Sequence, residues 1–390
     1  MKAICTHNEG SDSAVIYQVE SIEQVKQTWL ALEQECDAGF FHSWYWMSAW
    51  LELVLGKTSV YFFVCRTGET PYSCCLLTLC PAHRKKNLVR TLQLQINEYL
   101  APGYDMIKAY NGLLTRKGQA EQAWRMFFKA VDGFSHQWDE ILLSALLPDD
   151  YQLITNIHHG FRLDVEKTTY CWMKELDPSS SSSEALLLSC KKKSRKQLKQ
   201  SIAAFTEVCA PELTAATDTR MALDYFRQME QIHTERWQAV GEKGSFANPY
   251  WTQFHTRIIS NCFDSGVILM FKVSCGDTVL GYLYGHYYRS RVYMHQTGFA
   301  LMDDNRFRPG YVSHFEAMRH CAAMGAISYD LLPDVAESYK KFFTQPDPPL
   351  QRVLLKRSRP VFVLESTLEH FKRFKRNTSG ASQQHTGDDL

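Results

Sequence analysis

Apolar residues recur at helical spacing over 21–35, where Ile22, Val25, Trp29 and Leu32 share a face and Ser21 stands as a possible N-cap. Phe40, Phe41, Trp44, Tyr45, Trp46 and Met47 run into a second helix through Leu55. Packing of that helix on a sheet accounts for the aromatics better than a ligand box does. β-branched and alternating runs predict a hairpin, 60–66 and 72–79, around Thr67-Gly68-Glu69-Thr70. A strand at 88–96, a loop at 97–105, a helix at 119–131 and a strand at 138–144 follow, whereas residues 1–16 carry little pattern. Strand-like text over 161–176 ends at Asp177-Pro178. The five serines 179–183 are the most linker-like stretch, or a loop just inside a second domain.

The second half repeats this order. Helices are expected at 186–205, 222–240 and 249–262, then strands at 267–273, 279–288 and 292–299. A charged loop, Asp303 to Arg308, leads to a helix opening at Pro309-Gly310. Val312, Phe315, Met318 and Ala322 form its apolar face, and Gly325 suits its C-terminal end. A strand at 327–332 carries Asp330, and Glu337-Ser338-Tyr339-Lys340-Lys341 lies beyond it. A further strand at 353–356, a closing helix at 362–374 and a disordered tail at 377–390 complete the reading. Each half thus gives helices, a three-strand meander, a helix and a strand. The chain is α/β with mixed sheets, one architecture used twice over 1–178 and 184–376.

Composition narrows the function classes. The 390 residues carry a net charge of +1, with 45% hydrophobic and 22% charged residues, so no global charge points to nucleic acid or an anionic membrane. No apolar run reaches the ~20 residues of a membrane span, and the first residues lack an apolar signal core. The twelve cysteines are scattered without metal-ligand spacing. They read as reduced thiols in a cytoplasm, with no metal expected.

The unit strand 292–299, helix from 309, strand 327–332 is a parallel βαβ crossover, whose ligands bind beyond the carboxyl ends of the strands. The start of its helix, with Gly310 and the nearby Arg306 and Arg308, suits a phosphate; a plain helix start after a solvated loop is the competing reading. Lys191, Lys192, Lys193, Arg195, Lys196 and Lys199 make a basic helix face. It is either simply solvated or a rim for an anionic partner.

Residues from about 185 to 345 resemble the GNAT-like acyltransferases known as cellulose-biosynthesis acetyltransferases, relatives of the Fem aminoacyltransferases. The likeness rests on His233-Thr234-Glu235-Arg236-Trp237, Gly244-Ser245-Phe246 and the hairpin around Gly281-Tyr282. It continues through Gln296-Thr297-Gly298-Phe299, Arg308-Pro309-Gly310-Tyr311, Tyr329-Asp330 and Tyr339-Lys340. His42-Ser43-Trp44 and 97–105 match more loosely. Two departures bear on the donor. A glycine-rich pyrophosphate loop is reduced to Gly310, and Asp330 is followed by Leu331-Leu332-Pro333-Asp334 rather than a glycine turn.

The resemblance implies two tandem GNAT-like domains and transfer of an acyl group from a thioester, acyl-CoA, to an amine or hydroxyl. Its acceptor would be a small molecule or a saccharide. Gln296 and Thr297 lie on the strand expected to meet the pantetheine arm. Arg306, Arg308, Gly310, Tyr311 and Lys340 are the candidates around its phosphates. Asp330 is the first candidate base, against a turn-capping role, and His295 the second. Tyr339 is placed at the leaving thiolate, and Arg236 and Trp237 at the acceptor. No nucleophile elbow competes, so transfer is expected to be direct. Aminoacyl-tRNA or an acyl carrier protein as donor, and a non-catalytic partner in a polysaccharide or export machine, remain as alternatives.

Overall fold

In the computed structural model, residues 1–84, 89–95, 109–157 and 160–362 are described. The first half runs β1 (Lys2–Glu9), β2 (Asp12–Val19), α1 (Glu23–Glu35), α2 (Trp44–Val54), β3 (Ser59–Thr67), β4 (Thr70–Arg84) and β5 (Val89–Leu94). It continues with β6 (Leu114–Thr115), α3 (Ala120–Gly133), β7 (Glu140–Leu146), α4 (Pro148–Asn156), β8 (Arg162–Tyr170) and β9 (Met173–Glu175). The second half runs α5 (Ser183–Leu188), α6 (Lys192–Val208), β10 (Glu212–Ala215), α7 (Thr219–Ala239), α8 (Pro249–Cys262), β11 (Ile268–Cys275) and β12 (Thr278–Tyr288). Then come β13 (Arg291–Phe299), α9 (Pro309–Ala323), β14 (Ser328–Asp330) and β15 (Pro349–Lys356).

Among the described residues the strands form two mixed sheets. One has the order β1-β2-β3-β4-β5-β7-β15-β8, with β6 beside β4; the other is β10-β11-β12-β13-β14-β9. In each, an antiparallel meander is followed by a crossover helix and a short parallel pairing. Residues 91–93 of β5 pair with 140–142 of β7, and 291–293 of β13 with 328–330 of β14. The repeated architecture expected from the sequence is therefore present.

The two units exchange strands. β9, before the serine run, pairs with β14 of the second sheet. β15, near the end, inserts between β7 and β8 of the first. The sheets therefore do not divide along the chain between residues 178 and 184. Leu350, Val353 and Leu355 of β15 are fully buried, the last two in the first unit's core beneath α3. Helices α1, α2, α7 and α8 lie between the sheets and share one core, in which Phe40, Trp46 and Trp50 meet Phe226, Trp251 and Phe254.

Several local expectations change. β1 has no fully buried residue and β2 buries Ala14, Val15 and Ile16 in succession, so the pair lacks the clean alternation that marks a strand read alone. Helix α1 starts after Ile22 without a side-chain cap; the Gln24 side chain accepts from the amides of Glu20 and Ser21 instead. The serines are not a linker. Asp177 caps a 3-10 turn over Pro178–Ser181, and Arg319 of α9 donates to the Ser181 carbonyl at 3.1 Å. The helix expected over 186–205 breaks at 189–191 into α5 and α6. The loop at 97–105 and the segments at 363–374 and 377–390 lie outside the described residues.

Candidate active site

β13 and β14 stay together for only three residues. Beyond Tyr293 and Asp330 their pairing ends, while β13 continues against β12 to Phe299. The strands diverge, and the backbone of 294–299 keeps a ladder partner on one edge alone. At the point of divergence Met294 faces Gly285 and Gln296 faces Tyr284, so His295 is the extra residue of a β-bulge. The bulge turns consecutive side chains to one face. His295 meets the rings of Trp46, Trp251 and His255, and Gln296 contacts His233 of α7 at 3.2 Å between Nε2 atoms.

Asp330 ends β14 on the same face. It is buried, accepts from the Tyr110 hydroxyl at 2.5 Å on Oδ2, and accepts from the Leu332 amide at 2.8 Å on Oδ1. Burial lifts its carboxyl to about 6; the Tyr110 and Leu332 hydrogen bonds and the Lys340 cation restrain the rise. Leu332 has φ +63, an unfavourable region for its side chain. The Asp330 carboxylate and Lys340, whose Nζ donates to the Leu332 carbonyl at 3.0 Å, hold that turn in place.

The other candidates fall into two groups. Arg236 and Tyr339 come together, the Arg236 cation and the Asp334 carboxylate both lying near the Tyr339 side chain, which is 46% exposed. The Tyr339 ring lies 6.4 Å from that of His314 on α9. Trp237 is 40% exposed and packs near His233. Gly244, at φ +65, lets the following turn cross these two residues, since a Cβ there would fall 2.6 Å from His233 Cε1 and 2.9 Å from Trp237. Arg236 and Trp237 are thus neighbours at the end of α7, with His233 and Gly244 packed against the indole.

The phosphate candidates are largely engaged within the fold. Arg306 is held by Asp304 at 2.8 and 2.9 Å. Arg308 lies over the Tyr311 ring, and Tyr311 stacks on Phe342 at 3.7 Å. Gly310 answers first to packing, because a Cβ would sit 2.9 Å from the Phe299 ring. Lys340 is buried in an ion pair with Asp334 at 3.3 Å, so it secures the turn after β14 and does not project toward a donor. The Arg308 amide donates to Ser201 Oγ at 2.9 Å, which brings basic helix α6 alongside the start of α9. Thr297 lies on the diverging part of β13, partly buried and paired to Leu283.

Sequence reasoning missed Tyr110, Cys171 and the imidazoles of His255 and His286, which surround this centre from elements far apart in the chain. Burial keeps these imidazoles neutral. His295 and His314 are pushed down to about 3 and His233 to about 4, while His255 and His286 lie well below the ordinary histidine value. The unfolded chain binds protons at these sites below about 6.5, whereas the folded one resists them. Stability therefore falls as pH drops below about 6.5, by at most about 1.4 kcal/mol per pH unit for each imidazole. Five carboxyls raised by burial, Asp330 and Asp150 to about 6 together with Glu33, Glu230 and Glu316, act in the opposite sense, but Asp139, Asp164 and Asp334, held below the ordinary value by their ion pairs, add to the effect of the imidazoles. The urea midpoint should fall steadily from pH 6.5 to 4; a flat profile would mean that the imidazoles titrate freely in the folded chain.

The first unit has the same divergence between β5 and β7, and its own chain fills it. Asn111 Nδ2 donates to the Leu94 carbonyl at 2.7 Å, Gln95 Nε2 to Gly112 O at 2.8 Å, and Asn111 bridges to Leu146. In the second unit, among the described residues, the edge of β13 beyond Tyr293 has no ladder partner.

These features describe two α/β units of similar architecture in tandem, one of which leaves a strand edge unpaired beside a buried carboxylate. Residues 192–341 match the family model of the acetyltransferase (GNAT) domain, so the chain carries a domain of that type. Among solved structures it is similar to FemX, with a TM-score of 0.54 and 11% identity over 86% of this chain and 96% of that one. It is also similar to L-PGS from Bacillus licheniformis, with a TM-score of 0.50 and 9% identity over 88% and 95%. A third is the C-terminal domain (DUF2156) of a putative lysylphosphatidylglycerol synthetase from Agrobacterium fabrum, with a TM-score of 0.51 and 8% identity over 90% and 96%. At these identities the likeness is one of fold. No curated protein matches the sequence. Among the described residues no helix is long and apolar enough to cross a membrane, and no cluster of side chains has metal-binding geometry.

Proposed function

We propose that the chain transfers an acyl group from a pantetheine thioester, carried by coenzyme A, directly to the amine or hydroxyl of a small or saccharide-linked acceptor. The observation that carries this reading is the divergence of β13 from β14 with Asp330 at its apex. An extended pantetheine arm can use the unpaired edge of β13 as a further strand would, placing its amides against 294–297. The thioester carbonyl then lies near the bulge, where backbone N–H groups can stabilise the developing oxyanion.

Asp330 takes the acceptor's proton as the new bond to the carbonyl carbon forms. A carboxyl at about 6 is ionised at neutral pH yet still basic enough to accept it. The tetrahedral intermediate collapses with loss of the thiolate. Tyr339, a protonated phenol at neutral pH and 46% exposed, offers that sulfur a hydrogen bond rather than a full proton. Arg236 and Trp237 border the acceptor side, the cation for an acidic group and the indole for a flat or sugar face. Arg308 and the amides opening α9 are assigned to the phosphates, with Arg306 joining after exchange from Asp304.

A donor carried on aminoacyl-tRNA is the second reading. It is favoured by the exposed Lys191, Lys192, Lys193, Lys196 and Lys199 on the approach to the start of α9. Thermal-shift titration with acetyl-CoA, longer acyl-CoAs and charged tRNA separates the two. A rise in melting temperature with an acyl-CoA that survives reversal of the α6 charges supports coenzyme A. A rise with charged tRNA alone, lost on charge reversal, replaces the first reading with the second. Response to neither would overturn both.

A further inference from the structure

The segment that plugs the first unit's divergence has a second end. Asn111 fills the opening between β5 and β7, while the preceding residue, Tyr110, points the other way and donates its hydroxyl proton to Asp330 of the second unit at 2.5 Å. Its ring lies 6.0 Å from Phe41, which is itself 5.7 Å from Tyr293 and 6.2 Å from His295. The Cys171 thiol, from the connection between β8 and β9, is within hydrogen-bond reach of the same hydroxyl.

We propose that Tyr110 is a positioning residue for Asp330: the first unit reaches into the second and holds the carboxylate for its work as base, so the transfer site is shared by both units. The proposal rests on the reading of Asp330 as the base. The carboxylate's remaining neighbours are fixed. The Leu332 amide occupies Oδ1, the Lys340 cation stands behind the turn, and Tyr293 lies opposite on β13. Cys171, raised to about 12 by burial, stays a thiol and brings no charge. Tyr110, raised well above the ordinary tyrosine value by burial and by Asp330, stays a donor at every working pH. It therefore favours the ionised carboxylate and fixes which lone pairs of Oδ2 remain for the acceptor.

Tyr110→Phe removes the hydroxyl and keeps the ring. Losing a hydrogen bond to the charged form should raise the Asp330 titration midpoint by about one pH unit. The test is carbon NMR of protein labelled at the aspartate carboxyl carbon, with Asp330→Asn identifying the signal. The acidic limb of the thiol-release profile should move upward with it, so that activity falls roughly tenfold on that limb and much less on the alkaline side. Placing 3-fluorotyrosine, a stronger donor, at position 110 should lower the midpoint and keeps the test alive if the phenylalanine variant does not fold. An unmoved carboxyl midpoint in either folded variant would overturn the proposal. If no acyl donor yields thiol with the unaltered protein, the transfer reading fails, while the carboxyl titration still decides the role of Tyr110.

Discussion

Asp330→Asn should reduce thiol release from the productive acyl donor by roughly 10²–10⁴-fold, the usual contribution of a positioned general base. Donor binding should persist, because the diverging strands are backbone features that the substitution leaves alone. The fold should also survive. The Leu332 amide fixes the side-chain oxygen, the new amide group turns toward Tyr110, and the tyrosine hydroxyl can rotate to accept instead of donate. In the unaltered protein, activity should rise with pH through about 6 as the carboxyl ionises. A variant with near-normal turnover and an unchanged acidic limb would leave Asp330 a turn-capping residue and remove the base from the mechanism.

The second large effect is structural. A chain shortened after Gln345 loses β15 and should not form the first sheet, although that sheet's other strands all lie within residues 1–170. Without β15, β7 and β8 lose their common partner and the buried Leu350, Val353 and Leu355 are gone. Each such side chain contributes roughly 1.5–3 kcal/mol, so their sum approaches the whole ~5–15 kcal/mol stability of a typical domain. The shortened protein should bind hydrophobic dye and unfold without a cooperative transition. Leu355→Ala in the full chain should cost about 2–5 kcal/mol. A well-folded shortened protein would show that the strand exchange is dispensable.

Periodicity made most elements legible because each carries its own burial pattern. α8 has Trp251, Phe254, His255, Ile258 and Ile259 buried at three- and four-residue spacing, and its predicted span coincides with the observed helix. The crossover of β13, α9 and β14 was equally plain, and with it the position of Asp330 at a strand's carboxyl end. Strand exchange left no such trace. Nothing local distinguishes β15 as a strand of the first sheet, since its partners lie some two hundred residues earlier. Tyr110 is invisible for the same reason: its meaning lies in a hydroxyl that meets a carboxylate 220 positions away. The bulge at His295 depends on the pairing register between β12 and β13, which a sequence pattern does not specify. Lys340 looked like a free cation beside Tyr339 because its burial is set by Asp334 and the turn it braces.

The path of β15 also constrains how the molecule comes into being. During synthesis the first unit's helices and meander leave the ribosome early, at about 5–20 residues per second. They must then wait with a gap between β7 and β8 until residue 356 has emerged. Through that interval the nascent chain carries exposed strand edges and unburied leucine and valine positions, a natural target for a chaperone. The first sheet therefore closes last, after every strand of the second, which ends at Asp330, has already emerged.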